Sequence, residues 1–234
     1  MPTDKDLASQ LPVTFAQTRE SLRALACYVI SPARKARTGR IGLRAHRGGI
    51  STPLFDDGSR ISVRRDRLCL DPGDCVAITT LRAAAAFVGL AISSDPGVGA
   101  DLPAYDPDVE LLVDPEASQR LGDWYALADG VLAGLAAEEP GVTEAQLWPE
   151  HFDLAAQLDL GNGDAVNIGF SPGDGELPEP YLYVGPHDPT RQSGPYWNAS
   201  FGATLGYHDL MAAASPAQAA RLFIGQGLDL LRAP

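Results

Sequence analysis

Residues 151–171 alternate in polarity around a glycine turn, and no other feature constrains the fold of this chain as strongly. Phe152, Leu154, Ala156, Leu158 and Leu160 are apolar, while His151, Asp153, Ala155, Gln157 and Asp159 between them are mostly polar. A period of two places successive side chains on opposite faces of a half-buried β-strand. After Gly161-Asn162-Gly163 the chain offers Val166, Ile168 and Phe170 to one face. Directly opposed residues of an antiparallel pair share a face, so even positions must meet even positions. A two-residue Asn-Gly turn would set Leu158 against Asn167. A three-residue Gly-Asn-Gly loop sets Leu158 against Val166, Ala156 against Ile168 and Leu154 against Phe170, and is the expected connection.

The same register carries the polar residues to one end of the hairpin, with Asp153 opposite Ser171 and His151 opposite Gly173, beside Asp174. An imidazole and a carboxylate two apart on a strand project to the same side, and such a set can share a divalent cation. His151, Asp153 and Asp174 are therefore the expected ligands of a divalent metal. The same groups could work as a general acid–base pair. Trp148, Glu150 and Tyr181 would line a pocket with an aromatic wall for a small molecule. Glu179, between Pro178 and Pro180, is held on a stiff extended segment that keeps its carboxylate in place. The competing reading is the solvated side of a half-buried sheet, where such residues are ordinary. For Glu179 it is an edge strand guarded by proline and charge.

Capping signals set the helices. Ser31-Pro32, Asp114-Pro115 and Ser215-Pro216 each place an oxygen acceptor before a proline, which has no N–H to leave unpaired at the first helical position. They predict helices over 32–38, 115–139 and 216–232, with others over 14–30 and, capped by Thr80, over 81–90. Strands are expected at 41–45 and after Gly48-Gly49, at 61–64, 67–70 and 75–78, and along 197–207. Runs of strands bounded by helices indicate an α+β fold with antiparallel sheets flanked by four or five helices. Residues 1–13 read as a flexible tail. The rest reads as a single α+β domain, or as two subdomains, 14–92 and 109–234, joined by the Pro/Gly/Asp-rich loop 93–108.

The net charge is −12, yet its signs are segregated. Arginines crowd residues 19–82, and beyond Arg82 the only basic residues are Arg120, Arg191, Arg221 and Arg232. Among the early ones, His46 with Arg44, Arg47 and the Gly48-Gly49 amides is a candidate anion site. The overall negative field and the lack of aromatic residues among the arginines argue against nucleic acid. The basic half could instead meet an acidic surface, its own or that of a second copy in a homodimer, and serve a non-catalytic binding or assembly role. No stretch approaches the ~20 apolar residues of a membrane span, and the N-terminus lacks a secretory pattern. Cys27, Cys69 and Cys75 are an odd, scattered set, which argues for a reducing compartment, cytoplasmic, and against a disulfide framework.

Thr38-Gly-Arg-Ile-Gly-Leu-Arg with Gly48-Gly49 and Thr52-Pro53, Leu147-Trp-Pro-Glu-His-Phe-Asp-Leu-Ala, Gly169-Phe-Ser-Pro-Gly-Asp and Pro178-Glu-Pro-Tyr-Leu-Tyr-Val together resemble a family of actinobacterial proteins. The likeness spans about Thr18 to Leu205. It implies a bacterial cytosolic protein and assigns no role to any residue.

Overall fold

The computed structural model describes residues 10–46, 48–99, 102, 105–161 and 163–232. The fold is α+β, with two antiparallel five-stranded sheets, each a meander in chain order. The first holds β1 (Arg44–His46), β2 (Gly49–Ser51), β3 (Arg60–Arg64), β4 (Arg67–Asp71) and β5 (Cys75–Ala77). The second holds β6 (Gln146–Trp148), β7 (Asp153–Gly161), β8 (Asp164–Ser171), β9 (Tyr181–Pro186) and β10 (Ala203–Gly206). Helices α1 (Phe15–Leu25) and α2 (Ser31–Thr38) precede the first sheet and α3 (Leu81–Phe87) follows it. Helix α4 (Pro115–Glu138) precedes the second, and α5 (Tyr207–Ala212) and α6 (Pro216–Arg232) follow it. Two compact units result: Pro12–Ala126 with Gln146–Phe152, and Leu127–Ala145 with Asp153–Pro234. The described residues of the 93–108 stretch belong to the first of them.

Three caps act as their sequences indicate. Asp114 Oδ1 accepts from the Glu116 and Ala117 amides at 3.0 and 2.8 Å, Thr80 Oγ1 from Ala83 at 3.1 Å, and Ser215 Oγ from Gln218 at 3.3 Å. Ser31 does not cap. Its backbone is helical (φ −68°, ψ −42°) and its hydroxyl donates to the Ile41 carbonyl at 2.6 Å. Ala26–Ile30 between α1 and α2 is a π-helical turn, so the chain runs helically from Phe15 through Pro32 to Thr38. Proline within a helix lacks the donor for the preceding turn and crowds its carbonyl, and a widened turn accommodates both. Gly39 (φ +73°) closes α2 with its amide on the Lys35 carbonyl at 2.8 Å.

The β7–β8 pairing carries the expected parity: Leu154 faces Phe170, Ala156 faces Ile168 and Leu158 faces Val166. The means differ from the three-residue loop. Gly161 pairs with Asp164, and the register shifts between Asp159 and Gly161. An irregularity at Leu160 absorbs the odd residue and keeps the parity; Asn162 lies outside the described residues. On β9 and β10, Leu182, Val184, Ala203 and Leu205 continue the apolar face by register. Leu154, Leu158, Val166, Ile168, Phe170, Leu182, Val184 and Ala203 are buried. The strand expected along 197–207 is confined to Ala203–Gly206. Gly202 approaches Val184 so closely that a Cβ there would stand 2.1 Å from its carbonyl oxygen, and Tyr207 already begins α5.

Cys69 and Cys75 are directly paired across β4 and β5 and form a disulfide. This overturns the expectation of reduced, scattered cysteines: the Asp71-Pro72-Gly73-Asp74 turn folds a separation of six residues into opposed positions. The inference of a reducing compartment loses its premise. No described helix is long and apolar enough to cross a membrane.

Candidate functional site

The predicted residues divide between the units. Trp148, Glu150 and His151 lie in the first; Asp153, Ser171, Asp174, Glu179 and Tyr181 lie in the second.

In the first unit, Trp148 ends β6 and its carbonyl accepts from the Phe152 amide at 2.7 Å, closing a turn over 149–152. Phe152 takes φ +57°, a left-handed conformation rare for a bulky residue. Its ring is buried edge-on to Tyr125, whose hydroxyl donates to the Phe152 carbonyl. Holding Phe152 there removes it and His151 from the strand. His151 is exposed in the turn, and the His151–Gly173 pairing does not form. The Glu150 carbonyl accepts from Arg23 at 2.7 and 3.0 Å, and its side chain packs over Gly99.

In the second unit four predicted residues do come together. Asp153 begins β7, Ser171 ends β8 and Tyr181 begins β9, each at most 8% exposed. By register they share one face with Gln157, Asn167, Gly169 and Tyr183, opposite the apolar face. Tyr183 was not anticipated, although it stands two residues from Tyr181 on the same strand face and opposite a glycine. Its ring lies over Gly169, where a Cβ would meet the hydroxyl at 2.5 Å, and that hydroxyl donates to Asp153 Oδ2 at 2.5 Å. A bare glycine floor lets the ring reach across β8 to β7. Tyr181 donates to Asp174 Oδ2 at 2.8 Å. Asp174 Oδ1 accepts from the Glu176 and Leu177 amides, both at 2.8 Å. Ser171 Oγ accepts from the Gly173 amide at 3.1 Å. Phe201 completes an aromatic cluster, its centroid 6.3 Å from both tyrosine rings, which are themselves 6.3 Å apart. Glu179 is exposed and pairs with His208 at 3.2 Å. It precedes an internal strand, β9, not an edge.

Burial, then the Asp174 and Asp153 charges against a Ser171 hydrogen bond, pushes the Tyr181 phenol up to about 12. Burial and Asp153 push Tyr183 well above the ordinary phenol range. Both tyrosines are protonated donors at neutral pH, not bases. Ser171 Oγ is shared between the Gly173 amide and the Tyr181 phenol. Among the described residues no group of three or more His, Cys, Asp or Glu side chains is placed to hold a metal ion. The His151–Asp153–Asp174 metal set is thus corrected: His151 has left the strand, and the Asp174 oxygens are occupied by three hydrogen-bond donors.

No protein-family model, curated protein or solved structure matches the chain.

Proposed function

We propose that the protein is a small-molecule binder whose site is the aromatic and acidic face of β7–β9, and that its ligand is an organic cation such as a substituted amine. The observation that carries this reading is the convergence of the Asp153 and Asp174 carboxylates with the Tyr181, Tyr183 and Phe201 rings. Carboxylates and ring faces both attract ammonium groups, the latter by about 0.5–2 kcal/mol according to desolvation. The charge of this unit supports it further. Its arginines are engaged elsewhere: Arg191 with Asp164 at 2.8 Å, Arg221 with Glu138 at 3.3 Å and Arg232 with Glu139 at 2.7 Å. Two hydroxyl donors that hold the carboxylates in place would pre-organise the face for recognition. The likeness to actinobacterial proteins is part of the same proposal, since its Gly-Phe-Ser-Pro-Gly-Asp and Pro-Tyr-Leu-Tyr motifs supply Gly169, Ser171, Asp174, Tyr181 and Tyr183.

Titration with choline and with its uncharged carbon isostere, followed by NMR of the tyrosine rings, tests the proposal. Saturable shifts of Tyr181 and Tyr183 with choline or a primary diamine, absent with the isostere and lost in Asp153→Asn, are expected. If no amine moves these resonances, or the isostere acts equally, the reading fails.

A further inference from the structure

The sheet of the first unit has one apolar and one charged face. Its register aligns Arg44 with Ser51, Ser51 with Ser62, Ser62 with Cys69 and Cys69 with Cys75, one row across all five strands. Flanking rows pair Arg64 with Arg67, and Arg60 with Asp71. Opposed side chains share a face. Arg44, His46, Arg60, Arg64 and Arg67 therefore stand together above a floor of Ser51, Ser62 and the disulfide. Ala45, Ile50, Ile61, Val63 and Leu68 take the other side. Ser51, Ser62 and Cys69 are buried.

Compensation on this face is incomplete. Among the described residues, Asp71 is the carboxylate that pairs with Arg60, Arg64 or Arg67, and it is held by Arg64 at 2.5 Å and Ser62 at 2.6 Å. Arg67 donates to the Cys75 carbonyl at 2.7 Å, which leaves its charge unneutralised. Arg60 is half-buried and makes no hydrogen bond or ion pair among the described residues. His46 is half-buried beside them. Burial, then Arg60 and Arg64, lower its pKa against the opposing pull of Asp71, so the imidazole senses this arginine group directly. Arg47, expected in an anion site with His46, lies outside the described residues.

We infer that this face binds a small phosphate-bearing anion, with Arg60 and Arg64 as its principal contacts and His46 and Arg67 at its margin. The charge argues for a dianion: Arg60, Arg64 and Arg67 against Asp71 leave an excess of about two positive charges within one face. Guanidinium forks match phosphate oxygens in geometry as well as in charge. A small ligand fits better than a nucleic acid, because no Phe, Tyr or Trp stands in these rows to stack on a base. This inference is independent of the cation-binding reading, which concerns the other sheet.

The test is titration of the full chain with inorganic phosphate, pyrophosphate and glycerol phosphate at fixed ionic strength, followed by the His46 ring resonances. Saturable binding of at least one anion is expected, with an upward shift of the His46 titration. Binding of glycerol phosphate over inorganic phosphate would identify an organic phosphate, and the reverse a free one. Arg60→Gln breaks no bond among the described residues and should weaken binding about ten-fold. Arg64→Gln should do the same but frees Asp71, so its melting curve must be compared. Arg82→Gln removes an equal charge at the exposed Arg82–Asp108 pair and should leave affinity unchanged. Equal weakening by Arg82→Gln and Arg60→Gln would reduce the effect to diffuse charge and overturn the site. So would failure of all three anions to saturate, or binding of a single-stranded oligonucleotide without them.

Discussion

Tyr183 reaches across the intervening strand to donate its phenolic hydrogen to Asp153, over a glycine that leaves room for the ring. Three strands are tied by this contact: the carboxylate is on β7, the floor on β8 and the phenol on β9. The Tyr183 ring and the Asp153 carboxylate are thereby set relative to one another.

Removing the donor should show what the contact contributes. Tyr183→Phe deletes one hydrogen bond to a charged group and should cost about 1.5–3 kcal/mol in urea unfolding. Gly169→Ala inserts a methyl where the Tyr183 hydroxyl and ring carbons stand 2.5–2.7 Å away and should cost about 1–3 kcal/mol by overpacking. In a Tyr183→Ala background the Gly169→Ala cost should largely vanish. If it persists unchanged, the ring is not what occupies that space.

Alkaline pH should weaken the fold through the same tyrosines. A phenol whose folded pKa is raised stabilises the native state fully below its unfolded value, near 10, and loses that contribution as pH climbs through the folded value. For Tyr181 the window therefore runs from about 10 to about 12. Absorbance at the phenolate band should show a late-titrating fraction, and unfolding free energy should begin to fall near pH 10. Asp153→Asn should bring the Tyr183 titration down. A single tyrosine titration at the ordinary value would contradict the burial.

Cysteine chemistry separates two environments. Without reductant, denatured protein should take up alkylating reagent at Cys27 alone, with Cys69 and Cys75 protected until reduced. Native Cys27 should resist labelling. Its thiol donates to the Pro149 carbonyl at 3.0 Å, and burial pushes its pKa to about 12, so at pH 8 roughly one molecule in ten thousand carries thiolate. Labelling of native protein should accelerate toward pH 12. Rapid labelling at pH 8 would refute the buried placement.

Ser31 offers a test of the helical junction. Ser31→Ala strips the Ile41 carbonyl of its buried donor and should cost about 1–3 kcal/mol of global stability. A residue serving only as an N-cap would instead expose the first amides of α2 to exchange while the rest of the protein kept its protection. Hydrogen exchange of α2 against the first sheet distinguishes the outcomes.

What the sequence determined by itself is whatever short-range chemistry enforces. Period-two alternation committed Leu154, Ala156 and Leu158 with Val166, Ile168 and Phe170 to one buried face, and parity held through the register shift between Asp159 and Gly161. Asp114, Thr80 and Ser215 capped their helices because a side-chain oxygen and the nearest free amides are a few residues apart in any context. Asp153 and Ser171 share a face by the same parity, whereas the sequence offers Asp174 and Tyr181 only as neighbours of that strand end.

Tertiary structure decided the remainder, because it depends on which distant atoms share the space. His151 left the strand since Phe152 found a pocket beside Tyr125 and turned its backbone left-handed to fill it. Ser31 abandoned its capping role for a carbonyl ten residues away, and a π-turn absorbed Pro32. Cys69 and Cys75 became partners only when β4 and β5 opposed them, and the scattered arginines became one charged face only when five strands brought them into register. Local periodicity says which face a residue takes; only packing says what that face meets.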